Sequence, residues 1–456
     1  MKLKRLSLVA VMLIGSSAFA IENTKVSGNA ELYYGTQSST ENDTDMFNKD
    51  SSYTNFAARL DLTTDLTKGV SAGVGMQVVT TLGVEHNLVD SVWSNAHTAS
   101  ASTGATFHSA LGGNLQVDSA MWFDEVWLAG TAFDTTLKIG RQSLDTPLAF
   151  TETWGVDKNT FEAVVLINQS LPNTTIVATY IGKSNGSADD MSSNRENNAS
   201  NNLNDYGAAA AGYVSADGLF NTFGVQGTYA FGLVNNSFKP LTVQAWYYDM
   251  IDLAQAYWLQ ADLNLDGILV GAQYASTDLD DNANLGTLTS FAPIGANTEA
   301  TTAYSAMIGY EAKDVVTVKL AYSSVDEDGT LGVANTATGS VATIGGVSKL
   351  YTEMRWNYGN VSAVGADTFA ITAQTKVSDI DLFLGYYDTD IEAGSATVQA
   401  VRGFAARELQ EVAFRASTSF GPLDTAAAII YADNDEVGTA SDAESIDLQL
   451  YLTYNF

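Results

Sequence analysis

Three histidines, His86, His97 and His108, follow one another at a spacing of eleven in one long loop. No cysteine exists to support a metal cluster or to act as a nucleophile, so the stretch reads as an exposed loop. There is no nucleophile elbow, phosphate loop or dinucleotide signature. Oxygen-rich runs occur at Asp278, Asp280, Asp281 and Asn282, at Asp326, Glu327 and Asp328, and at Asp433, Asp435 and Glu436. A hard cation needs six to eight oxygens in a shaped cage, and none of these runs has the EF-hand spacing. They read as solvated acidic loops, with calcium as the alternative. The expectation is therefore no enzyme, no catalytic residue and no resident metal. A different chemistry remains: charges set in the middle of alternating segments. Arg59, Asp61, Asp262, Lys319 and Arg415 each share a parity with polar neighbours and oppose an apolar row. Lys138 opposes Leu137 and Ile139, while Arg407 and Glu411 lie at the head of a similar segment. Such groups can attract, repel or hold charged solutes; they make no bonds.

The elements that position these charges have a period of two. Leu448, Leu450, Leu452, Tyr454 and Phe456 lie on one parity, and Asp447, Gln449, Tyr451, Thr453 and Asn455 on the other. In a strand these are opposite faces. The same code recurs at 54–65, 70–78, 254–265, 315–323 and 412–420. A packed sandwich and a lipid-facing barrel both show this pattern locally. Length and turn asymmetry favour the barrel. Many segments run about nine to twelve residues, enough to cross a bilayer at a tilt. Short turns at 66–69, 170–173, 265–267, 313–314 and 421–422 alternate with long loops at 36–53, 80–118, 183–204, 277–300, 325–346 and 433–444. Short turns on one side and long loops on the other are a barrel habit, and hydrocarbon requires the sheet to close. Eighteen strands are expected, near 26–35, 54–65, 70–79, 119–130, 134–141, 161–169, 174–182, 222–231, 241–249, 254–264, 268–276, 301–312, 315–324, 366–377, 380–388, 408–420, 423–432 and 445–455. Segments 206–214 and 347–358 also resemble strands, but parity assigns them to long outer loops. Tyr and Trp near strand ends suit interfacial belts. Trp246 and Trp258 sit on the polar parity. The fold class is thus all-β, a transmembrane antiparallel barrel.

Residues 1–20 carry Lys2, Lys4 and Arg5, a short apolar run and Ala18-Phe19-Ala20. This pattern predicts a cleaved export signal, leaving 21–456 as one barrel domain. Removing three bases changes the balance to 18 Lys+Arg against 52 Asp+Glu, or -34. Such a surface repels nucleic acid and attracts cations.

The run Trp122-Phe123-Asp124-Glu125-Val126-Trp127-Leu128, then Thr135 through Leu144 with its Gly140-Arg141-Gln142, resembles the major outer-membrane porins of the Campylobacter group, themselves OprD-like in fold. The start at Met1–Ala10, Tyr247-Tyr248-Asp249 and the terminal strand share the likeness. Phe456 resembles the terminal aromatic read by the barrel-assembly machinery. The resemblance implies an eighteen-stranded barrel, a homotrimer, and a membrane setting of lipid and lipopolysaccharide. It also implies that the loop after Gln142, Ser143 to Thr160, folds inward as a constriction. That loop would present Asp145, Glu152, Trp154 and Asp157 to a wall bearing Arg59, Asp61, Lys138, Asp262, Lys319, Arg407, Glu411 and Arg415. By the same likeness, Asp145 or Asp157 is an alternative calcium ligand. Arg141 shares the parity of outward Ile139, so it must lie past the lipid belt or be re-aimed by a bulge. The expected function is general diffusion of small hydrophilic solutes and ions, with cations preferred. The alternatives are a substrate-selective channel, or an adhesin or structural barrel.

Overall fold

Alternation drives the architecture: the eighteen segments expected from their apolar parity become strands, and these pair with their sequence neighbours. The computed structural model describes residues 22–40, 43–48, 51–80, 120–185, 220–224, 226–280, 299–329, 331–337, 346–394, 399, 406–436 and 442–456. The expected leader, the histidines and segment 206–214 lie outside these residues. Eighteen antiparallel strands form the wall. They are β1 (Glu22–Ser39), β2 (Ser52–Thr67), β3 (Val70–Thr80), β4 (Ala120–Ala132), β5 (Thr135–Gln142), β6 (Phe161–Asn168), β7 (Thr174–Ser184), β8 (Thr228–Asn235) and β9 (Leu241–Met250). The second half comprises β10 (Ala254–Leu265), β11 (Ile268–Leu279), β12 (Thr301–Ala312), β13 (Val316–Val325), β14 (Ala366–Val377), β15 (Ile380–Ile391), β16 (Arg407–Phe420), β17 (Leu423–Glu436) and β18 (Asp442–Asn455). Several run longer at their outer ends than the apolar alternation alone predicts.

The sheet closes where β1 meets β18, in a register running from Asn29↔Asn455 to Ser39↔Ser445. No wall edge is left to pair with another chain. The seam continues through the last residue: the Gly28 N–H donates to the Phe456 carbonyl at 2.9 Å, and the Phe456 N–H donates back at 3.0 Å. The Phe456 ring then lies across Gly28, where a Cβ would stand 2.7 Å from it. Overpacking of this kind costs about 1–3 kcal/mol. Gly28→Val should therefore lower the fraction of chain that reaches the compact, heat-modifiable form on gels. Unchanged mobility would contradict the seam assignment.

The outer face meets the expectation for lipid contact. Leu128, Ile139, Leu259, Ile308, Leu320, Ile371, Phe414 and Leu452 are all exposed on it. An apolar surface of that extent is stable only against lipid. No helix among the described residues is long and apolar enough to cross a membrane; strands make the crossing. Outward tyrosines pair across neighbouring strands, Tyr180 with Tyr229, Tyr247 with Tyr257 and Tyr274 with Tyr304, at ring centroids 5.0–5.2 Å apart. These form an interfacial belt. Short turns gather at one rim, including Asp266-Gly267 with both residues at positive φ. Mirror-image turns of this kind match strand twist. One outer-side connection, residues 251–253, is short, a departure from the expected alternation.

The lumen is partly filled. Among the described residues two connections turn inward: the constriction loop (143–160) and a second, inner loop between β13 and β14, described at 326–329, 331–337 and 346–365. Leu148 and Ala149 of the first, and Val333, Leu350, Met354 and Val361 of the second, join one buried cluster with inward side chains of the wall. The wall is cut small to admit them: Ala230, Ala256, Ala275, Ala303, Ala321 and Ala370 face inward there. Segment 347–358 is thus a tucked loop, not a wall strand. Water-accessible charges are left on the β1–β5, β13 and β16 parts of the wall.

Candidate functional site

The charges that face the remaining passage are gathered by one irregularity. Alternation along β4 sends Trp122 inward and Phe123 outward, then fails. Asp124 has no partner in the β3 register, which passes from Gly75↔Glu125 directly to Met76↔Phe123. This bulge turns two consecutive acids, Asp124 and Glu125, into the lumen. Arg59, reaching from β2, receives them both. Its guanidinium lies 2.8 Å from Asp61 Oδ2, 2.8 Å from Asp124 Oδ2 and 2.9 Å from Glu125 Oε1. The bridge passes over β3 at Gly75, where a Cβ would meet Asp61 and Asp124 oxygens at 2.7 and 2.8 Å. Only glycine leaves that path open.

The constriction loop joins the same cluster. Lys158 Nζ donates to Glu125 Oε1 at 2.8 Å and to Ser143 Oγ at 2.8 Å, and Ser143 Oγ donates to Glu125 at 3.2 Å. Lys138 completes the group, its ammonium 4.3 Å from the centre of the Trp127 ring. Three carboxylates (Asp61, Asp124, Glu125) face three cations (Arg59, Lys138, Lys158). The group is neutral as a whole but strongly polar within: Asp124 is buried, whereas Asp61, Glu125 and Lys158 are partly open to the passage.

The other expected residues are dispersed. Asp145 is exposed and pairs with Lys349 of the inner loop. Two acids are corrected. Glu152 and Asp157 are buried, because the loop turns them toward protein rather than water. Glu152 accepts from Asn335 Nδ2 at 2.6 Å, and Asp157 accepts from the Lys158 N–H at 2.7 Å. Trp154 lies in a two-residue pairing with Asp157; its side chain is outside the described atoms. Asp262 faces inward but is covered by Tyr351, whose hydroxyl donates to it at 2.6 Å. Lys319 faces inward beside Ala321 and Ser323 and forms no ion pair among the described residues. Arg407 sits at the outer end of β16, 2.7 Å from Glu436. Glu411 is the third correction. It is fully buried, and its carboxylate accepts three backbone N–H groups, from Arg355 (2.9 Å), Trp356 (2.9 Å) and Asn357 (2.8 Å). It anchors the inner loop rather than lining the passage. Arg141 keeps its outward parity at the belt's edge, paired with Glu162 at 2.9 Å.

Arg415 faces the passage and donates to Ser417 Oγ at 3.2 Å. It lies within electrostatic reach of Arg355, and neither guanidinium forms an ion pair among the described residues. Arg355, Glu125 and Asn335 are positions at the candidate site that alternation alone does not identify. Among the described residues no group of three His, Asp or Glu is arranged to hold a metal ion. Asp281 and Asn282 lie outside the described residues.

Within the inner loop, Glu353 accepts from the Ser348 N–H (2.7 Å), the Ser348 hydroxyl and the Gly359 N–H (3.0 Å). Burial pushes its carboxyl up to about 7, against these hydrogen bonds. The folded state therefore holds this proton more tightly than the unfolded chain does. Its contribution to stability is full below about pH 4.5 and is lost as pH rises through about 7. The loss is at most about 3 kcal/mol. Unfolding midpoints at pH 5 and pH 8 should differ less in Glu353→Gln than in the parent; an equal difference would refute the assignment.

No family model and no curated protein matches the chain. Solved structures do. Acinetobacter baumannii OccAB1 superimposes with a TM-score of 0.66 at 13% identity, covering 95% of this chain and 97% of that one. Acinetobacter baumannii OccAB3 gives 0.66 at 11%, with 95% and 99% covered. Pseudomonas aeruginosa OccK9 (OpdG) gives 0.65 at 11%, with 95% and 99% covered. At such identities the likeness is one of fold, over nearly the full length of each chain. A closed sheet, an apolar exterior and this likeness together identify the chain as an eighteen-stranded β-barrel of the outer membrane.

Proposed function

We propose that the protein is a passive channel for small hydrophilic solutes and ions, narrowed by the constriction loop and preferring cations. One observation carries this reading. A neutral but polar cluster, Arg59, Lys138 and Lys158 with Asp61, Asp124 and Glu125, joins three wall strands to the inward loop beside a small apolar contact of Val156 with Tyr33, Ala57, Val79 and Trp122. A stable plug would set apolar side chains at these six charged positions instead. The likeness to OprD-type channels of the Occ group supports it. The preference for cations follows from the acid excess, 52 Asp+Glu against 21 Lys+Arg, which concentrates cations at the mouths. Single-channel recording in planar bilayers tests the pore. Under a salt gradient the reversal potential should carry the sign of cation preference, more strongly at low salt.

A second reading is favoured by Arg355 and Arg415. Two guanidiniums that form no ion pair among the described residues suit a channel that grips anionic groups of a preferred solute. Anion preference, or conductance blocked by one class of organic anion, would replace the first reading with this one.

A further inference from the structure

The tip of the constriction loop, residues 148–152, is held by protein rather than by chance packing. One described hydrogen bond joins it directly to the wall: the Leu148 N–H donates to Tyr248 Oη at 3.2 Å. The constriction loop bonds to itself through the Thr151 N–H to the Leu144 carbonyl at 2.8 Å and the Glu152 N–H to Asn159 Oδ1 at 2.7 Å, and the inner loop adds the following contacts. Asn335, fully buried, accepts from the Phe150 N–H at 3.1 Å. Its Nδ2 donates to the Phe150 carbonyl at 2.8 Å and to Glu152 Oε1 at 2.6 Å. Beside it, the Thr336 N–H and hydroxyl both donate to the Leu148 carbonyl, at 2.9 and 2.6 Å.

We propose that Asn335 is the positioning residue of the constriction: it locks the constriction loop to the inner loop, so that the two move as one body and set the width of the passage. The site asks one side chain to donate twice and accept at least once within a closed space. An amide does this; a carboxylate lacks the donors and a hydroxyl lacks the number. Gln has the groups but is one methylene too long for a fully buried position. The bonded partner Glu152 is a buried acid, which needs a donor of this kind. The inner loop is itself fixed to the wall through Glu411 and through the Tyr351–Asp262 bond. Position therefore passes from wall to inner loop, then through Asn335 to the constriction loop and its Lys158. The barrel ladder is independent of this chain of contacts, so the pore can change while the wall stays closed.

This inference rests on the conducting reading above. Full-length protein in planar bilayers separates the two. Asn335→Asp keeps the shape but sets a carboxylate against Glu152. It should shift open-channel conductance about twofold and add open-state flicker, with heat-modifiable mobility unchanged. Asn335→Asp combined with Glu152→Gln returns a donor to the contact and should move conductance back toward the parent. Should Asn335→Asp fail to assemble, Asn335→Ser, which adds no charge, takes its place. A conducting parent with unchanged conductance and noise in the variant overturns this inference alone. A parent that passes no current overturns the channel reading, and this inference with it.

Discussion

Arg59→Ala should raise the cation over anion permeability ratio several-fold and destabilise the barrel by about 3–5 kcal/mol, the range for a buried ion pair stripped of one partner. The wild-type cluster balances three carboxylates with three cations. Without the guanidinium, Asp61, Asp124 and Glu125 face only Lys138 and Lys158, and the local charge falls to -1. Asp124 suffers most, with 1% of its side chain exposed, so water cannot replace what Arg59 supplied. Lysine is a poor substitute, because one ammonium cannot meet three carboxylates held on two strands. Reversal potentials of Arg59→Ala and Arg59→Lys under the same gradient measure the effect. A ratio equal to the parent's in both would show that this cluster does not face the permeation path. Gly75→Ala approaches the same cluster from beneath, and should reproduce part of the effect while leaving every charge in place.

Much of this architecture was legible in side-chain alternation, since one parity must meet lipid and the other water. Arg59, Asp61, Lys138, Lys319 and Arg415 could be assigned inward on parity alone. What alternation hides is departure from alternation. Asp124 and Glu125 are adjacent acids in a strand, and strict period two would send one of them into lipid, at a cost of a kcal/mol or more. That conflict was the readable sign of the bulge. The inner loop left a weaker mark. Segment 347–358 resembles a strand, yet its backbone groups pair with Glu353, Glu411 and Gln273 side chains instead of a ladder. Asn335 and Phe150 stand 185 positions apart, and no local pattern links them. Glu152 and Asp157 were expected to line the pore because the resemblance implies that their loop folds inward. Their burial depends on partners supplied by folding.

Glu411→Ala should release the inner loop and raise conductance, with a larger effect than any change of a passage-facing charge. Glu411 satisfies three consecutive backbone N–H groups, those of Arg355, Trp356 and Asn357. Successive N–H groups converging on one carboxylate form an anion nest. Removing the carboxylate leaves three donors beneath buried side chains, at about 1–3 kcal/mol each. Apolar packing of Met354 and Val361 against the wall opposes release, at about 1.5–3 kcal/mol per fully buried side chain. The unpaired donors can regain water only if the segment moves, so the loop should leave its seat at least part of the time. The strand itself has no reason to fail: Glu411 keeps its ladder positions opposite Tyr387 and Ala432. Glu411→Gln supplies the control, since an amide oxygen can still accept while its NH2 faces a donor it cannot satisfy. The expected order of conductance is parent, then Glu411→Gln, then Glu411→Ala, with protease cleavage inside 346–365 rising in the same order. Equal conductance in all three would mean that the inner loop does not obstruct the path. Cleavage without a conductance change would place the loop in the lumen but off the route that solutes take.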